Sequence, residues 1–131
     1  MGDYTELVLK CRLIDDIPKN INDILEFLFN KGDLNIDISD EKNLPDHPFF
    51  KCVRWTSIGR SCSHYHIAET FNYYGHNKIF SRSDLKDYSD EIDNFLDWIK
   101  PYMATDPGKC IGWKWYEYSE EPELIYACEK N

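Results

Sequence analysis

The stretch Glu6-Leu7-Val8-Leu9-Lys10-Cys11-Arg12-Leu13 decides the fold class, because Leu7, Leu9, Cys11 and Leu13 alternate strictly with Glu6, Val8, Lys10 and Arg12. A period of two sends the first set to one face of a β-strand and the second set to the other, so the strand has one mostly buried face. Beyond Pro18 the period changes. Ile21, Ile24, Leu25 and Leu28 form a stripe at helical spacing, with Asn20 as the expected N-cap, Asp23 in the first turn and Gly32 past the end.

Residues 33–48 carry Asp, Asn, Ser and two prolines, Pro45 and Pro48, and read as a loop that is either functional or conceals an element. Strands are expected over Phe49–Ser57 and His64–Tyr74, with a further short one over Lys78–Ser83. The clearest helix is Asp90–Met103. Ile92, Phe95, Leu96, Ile99 and Met103 make its apolar stripe, Glu91, Asp93, Asn94 and Asp97 face away, Ser89 is its expected N-cap and Pro101 marks its last turn. Cys110–Tyr118 is strongly strand-like, and Glu121-Pro122 turns the chain into a last strand, Leu124–Cys128. The order β-α-β-β-(β)-α-β-β predicts a single α+β domain over residues 1–131. Its expected form is an antiparallel sheet with both helices on one face, broadly ferredoxin-like, ending in a C-terminal hairpin.

Composition narrows the function classes. With 42 % hydrophobic and 15 % aromatic residues in 131, the chain can offset its ordering entropy and build one core. No apolar run approaches the ~20 residues that cross a bilayer, and the acidic start Met1-Gly2-Asp3-Tyr4-Thr5-Glu6 is unlike a signal peptide, so a cytoplasmic, membrane-free protein is expected. The five cysteines, Cys11, Cys52, Cys62, Cys110 and Cys128, include no Cys-x-x-Cys pair and read as small buried or half-buried hydrophobes. A net charge of −9 argues against direct nucleic-acid binding and points to basic partners.

Two groups of residues carry the candidate chemistry. In Ile58-Gly59-Arg60-Ser61-Cys62-Ser63-His64-Tyr65-His66, Gly59 would let the backbone approach a ligand. Arg54, Arg60, Ser61, Ser63, His64 and His66, helped by Arg82, would bind an anion such as a nucleotide. The same segment offers Cys62, His64 and His66 as weak metal ligands, or as a nucleophile and bases oriented by Asp84 or Glu69; no motif of a known zinc site or cysteine hydrolase surrounds them. The second group is acidic and aromatic. Trp113 and Trp115 share a strand face and are expected to pack on Phe95 and Ile99. Tyr116 and Tyr118 lie opposite and join Glu91, Asp93, Asp97, Glu120 and Glu121 as a protein-binding surface.

Arg54-Trp55, Gly59-Arg60-Ser61, Ser83-Asp84-Leu85-Lys86-Asp87-Tyr88 through Phe95-Leu96-Asp97-Trp98-Ile99, and Gly112-Trp113-Lys114-Trp115-Tyr116-Glu117 resemble short proteins carried by bacteria and phages. The resemblance implies a cytosolic protein of prokaryotic or mobile-element origin, and brings no activity or catalytic residue with it. The leading expectation is a non-enzymatic acidic binding protein that needs no cofactor and occupies a host protein, as an inhibitor of a host defence would. The alternatives are a binder that sequesters a nucleotide or other small anion, and a small metal- or cysteine-dependent hydrolase. Oligomeric state is left open by the sequence.

Overall fold

A computed structural model describes residues 4–29, 44–53, 55–59, 62–67 and 77–127; over 62–67 and at residue 77 it describes the backbone alone. The elements run β1 (Thr5–Leu13), α1 (Lys19–Phe29), two 3₁₀ turns (Pro48–Lys51 and Trp55–Ser57), β2 (Cys62–Ile67), β3 (Asn77–Leu85), α2 (Glu91–Ile99), a 3₁₀ turn (Lys100–Tyr102), β4 (Cys110–Tyr116) and β5 (Glu123–Tyr126). The strands form one five-stranded sheet in the order β2-β3-β1-β4-β5, and every pairing is antiparallel. Because β3 lies between β1 and β2 and opposes both, β1 and β2 run parallel across the α1 connection, which is a split β-α-β arrangement.

The alternation of β1 holds along its length: Leu7, Leu9, Cys11 and Leu13 are buried, and Lys10 and Arg12 are exposed. Its buried residues share one core with Ile21, Ile24, Leu25, Leu28 and Phe29 of α1, Ile92, Phe95, Trp98 and Ile99 of α2, and Ile79 and Leu85 of β3. Both helices therefore cover the same face of the sheet. Burying a side chain such as Leu25 or Ile92 contributes about 1.5–3 kcal/mol of transfer free energy, so this shared face dominates the stability.

Helix boundaries shift for identifiable reasons. The carbonyl of Pro18 accepts from Asn22 N–H, which puts Asn20 inside the first turn of α1 instead of at its cap. Asp23 falls past that turn and pairs with Lys19 at 2.9 Å. The second helix stops at Ile99 because Pro101 has no N–H to extend the ladder, and Met103 follows the 3₁₀ turn into the core. Ser89 is not its cap. Asp90 holds that position in left-handed backbone with no side-chain bond, and Asp87 supplies the cap from outside, its Oδ1 accepting Ile92 N–H at 3.1 Å. Glu91, expected to face solvent, is fully buried.

The expected strand over Phe49–Ser57 is absent. Successive i to i+3 bonds, Phe50 N–H to His47 O, Cys52 N–H to Phe49 O, Trp55 N–H to Cys52 O and Ile58 N–H to Trp55 O, wind the segment into 3₁₀ turns. The reason is aromatic packing. Adjacent Phe49 and Phe50 both contact Trp98, at 5.7 and 5.0 Å, and Trp55, at 5.9 and 5.1 Å between ring centroids. A strand would throw neighbouring side chains to opposite faces and break one set of contacts.

The tryptophans of β4 also differ from expectation. Val8 pairs with Trp113 and Glu6 with Trp115, so both indoles occupy the sheet face away from the helices, while Gly112, Lys114 and Tyr116 share the helix-covered side. A register shift between Cys110 and Gly112 breaks the alternation and brings Ile111 into the core. Gly112 is required there: a Cβ would collide with the Val8 carbonyl oxygen.

Phe49→Ala is expected to lower stability by about 3–5 kcal/mol, and Val53→Ala, on an exposed side chain, to stay within about 0.5 kcal/mol, both read from urea unfolding. Gly112→Ala should cost about 3 kcal/mol or more by the same measurement, since the clash is with backbone.

Candidate functional site

Sheet register and the start of α2 assemble an acidic end to the molecule. Lys114 sits opposite Leu7 on one side and Glu123 on the other, with its ammonium 3.0 Å from Asp93 Oδ1 and 3.5 Å from Glu123 Oε2. Partial burial pulls the Lys114 pKa down, but the hydrogen bond to Asp93 and the charges of Asp93, Glu123 and Asp87 outweigh it, and the net direction is up. Asp87, Lys114, Tyr116, Ser119, Glu121 and Glu123, with Thr5, line a concavity of about 290 Å³. At its edge the rings of Tyr116 and Tyr118 meet edge to face at 5.6 Å, with Tyr118 largely exposed.

The expected protein-binding set divides accordingly. Tyr116, Tyr118, Glu120 and Glu121 lie at the end of β4 and in the turn after it, and Asp93 reaches the same place through Lys114. Asp97, one turn further along α2, instead accepts from His47 Nε2 at 2.9 Å. His47 Nδ1 accepts Phe49 N–H, which leaves its proton on Nε2 for that bond. Glu91 is removed from the surface: its Oε1 accepts Ser89 N–H at 2.6 Å, and its Oε2 has no hydrogen-bond partner. Asp87 and Glu123 belong to the acidic run of the C-terminal half, and Lys114 and His47 carry no role that the sequence alone assigns. A lone lysine between two tryptophans, flanked by acidic turns, is the signal that marks Lys114.

The expected anion-binding set does not sit on one face. Arg54, Arg60 and Ser61 lie outside the described residues. Register places His64 opposite Phe80 and His66 opposite Lys78, on the sheet face away from the helices, and Ser63 opposite Ser81, on the covered face. Arg82 is already engaged, 2.8 Å from Glu6 and 3.3 Å from Asp84. Gly59 serves the interior: a Cβ there would meet the Leu28 carbonyl oxygen at 2.5 Å, and its N–H donates to Ser83 Oγ at 2.8 Å.

Cys62 pairs with Arg82 and so shares a face with His64 and His66, but the side chains of all three lie outside the description. Among the described residues no three ligating side chains gather. Burial pushes the Cys11 thiol up to about 12, which suppresses the thiolate, and the buried Cys52 thiol is held against the Ser89 and Pro48 carbonyls.

No described element packs on the second sheet face. It presents Phe80, Trp115, Leu124 and Tyr126, which are 54, 39, 49 and 52 % exposed. No helix of the described structure is long and apolar enough to cross a membrane. Compared with protein-family models, with curated proteins and with solved structures, the chain matches none.

Asp87 gives the acidic end a pH dependence. Desolvation raises its pKa, the bond from Ile92 N–H opposes this, and Glu91 adds to the rise, leaving it above the ordinary 3.8. The stability linked to this shift is complete below that ordinary value and is lost as pH rises through the folded value, so ionised Asp87 opposes folding at neutral pH. Asp87→Asn keeps an acceptor for Ile92 and tolerates φ of 54°. It should raise the melting temperature at pH 7, with the gain shrinking below about pH 4. Asp87→Ala should cost about 1 kcal/mol at pH 3 by losing the cap, and less at pH 7, where it too removes the ionised carboxylate. Thermal melts of both variants at pH 3 and pH 7 check this.

Proposed function

We propose that the chain is a non-enzymatic binding protein whose acidic end occupies a basic surface on a partner protein. The observation that carries this reading is the convergence of Asp87, Asp93, Glu121 and Glu123 around one lysine, beside an exposed tyrosine pair. Carboxylates in that number steer a basic partner and raise its association rate, while tyrosines supply contact area at low entropy cost. The resemblance of the sequence to phage and mobile-element proteins makes a bacterial defence protein the first partner to try, with inhibition by occupancy as the mechanism.

The test is capture of a stoichiometric partner from bacterial lysate, followed by affinity measurement on variants. Tyr116→Ala with Tyr118→Ala should weaken binding by about 2 kcal/mol, roughly thirtyfold. Glu121→Lys should chiefly slow association and flatten its salt dependence. Phe80→Ala, on the other sheet face, should change neither. Binding unaffected by the tyrosine pair or by Glu121→Lys would remove this end of the molecule as the site.

A further inference from the structure

The open sheet face has its own charge pattern, separate from the acidic end around Lys114. Register lays it out in rows across the sheet. Asp84, Glu6 and Trp115 form the first row; Cys62, Arg82, Val8, Trp113 and Leu124 the second; His64, Phe80 and Lys10 the third; His66, Lys78 and Arg12 the fourth. Tyr126 lies two residues beyond Leu124 on β5, level with the third row. The first row is acidic despite the bonds from Arg82, and it borders a groove of about 480 Å³ lined by Tyr4, Glu6, Asp84, Trp115, Glu117 and Ser119. The last two rows hold Lys10, Arg12 and Lys78, all exposed and none ion-paired among the described residues. Elsewhere Lys19, Lys51, Arg82 and Lys114 each meet a carboxylate, while Lys86, Lys100 and Lys109 are likewise without an ion pair among the described residues.

We infer that a second copy of the chain closes this face, with the two sheets packed face to face about a two-fold axis perpendicular to their strands. Two orientations of a two-fold axis in the interface plane compete. An axis along the strands, over the central β1, would set acidic row on acidic row, with Glu6 on Glu6 and Arg12 on Arg12. An axis across the strands, between the second and third rows, sets Asp84 and Glu6 of each copy against Lys78 and Arg12 of the other, so each contact occurs twice. The same operation brings Arg82 over Phe80, where a guanidinium is favoured on an aromatic face, and puts Trp113 and Leu124 near Tyr126. The carboxylate-lined groove then receives a long basic side chain from the other copy.

The size of the face is adequate. Five strands at ~4.8 Å spacing and an average of about seven residues at ~3.4 Å give a flat footprint of roughly 600 Å², before side-chain relief is counted. Stable interfaces bury ~800 Å² of accessible surface per partner, which relief on aromatic side chains brings within reach. A face exposing Phe80, Trp115, Leu124 and Tyr126 together is otherwise an apolar patch left in water.

The experiment is sedimentation equilibrium of the whole chain up to about 100 µM, with two charge-reversed variants. Arg12→Glu/Lys78→Glu makes both ends acidic, and Glu6→Lys/Asp84→Lys makes both ends basic. The wild type should sediment as two copies. Each variant alone should lose association at least a hundredfold, and an equimolar mixture should recover a dimer with one chain of each kind, weighed by native mass spectrometry. Thermal melts check that the variants fold, and Phe80→Glu provides a monomerising substitution that leaves the acidic row intact. A wild type that stays monomeric overturns the inference, as does a dimer unaffected by all three variants. So does a mixture that fails to pair while both charge variants remain folded.

Discussion

Everything in this molecule depends on the parity of β1. It is the middle strand of five, paired on both sides, and its buried set of Leu7, Leu9, Cys11 and Leu13 determines which side of the sheet the helices cover. Because side chains alternate along regular strands, the pairings of β1 assign a face to β3 and to residues 112–116 of β4, and through them to β2 and β5, with Ile111 the exception at the bulge. A one-residue slip would carry Lys10 and Arg12 into the core and Leu9 into water, at a cost no surface contact offsets. The two helices then lock the choice, since both packed stripes meet that one set of leucines.

This explains which parts of the fold were legible in the sequence. Strand β1 and the apolar stripes of both helices carry one unambiguous period each, and the closing hairpin carries strand residues around a turn. Phe49–Ser57 misled because its aromatic residues are adjacent, and adjacency has no period; only Trp98 and Trp55 on the same side show that a tight turn is needed. β4 misled for the opposite reason. Ile111, Trp113 and Trp115 form one plausible apolar face, and the bulge that detaches Ile111 from the other two leaves no mark in composition. The burial of Glu91 was equally hidden, since a glutamate in a first helical turn reads as solvated until its oxygen is seen accepting from Ser89.

The candidate site was legible in kind but only partly in membership. Tyr116, Tyr118, Glu120 and Glu121 are neighbours in sequence, so their grouping needs no tertiary information. Asp87, Asp93 and Glu123 join them only because β4 and β5 pair beside the start of α2, a contact between segments far apart in the chain. Register puts His64 and His66, two apart on β2, on one face and Ser63 on the other.

Net charge concealed the most. An average of −9 describes neither end of the sheet: carboxylates collect where β1 begins, at Glu6, Asp84 and around Lys114, while Lys10, Arg12 and Lys78 gather where it ends. Exposed charges interact over roughly one Debye length, about 8 Å at physiological salt, so a partner approaching either end senses that end and little of the whole. The local polarity along the strands is what gives the open face a direction, and a surface with a direction can distinguish the right orientation of a docked copy from the wrong one.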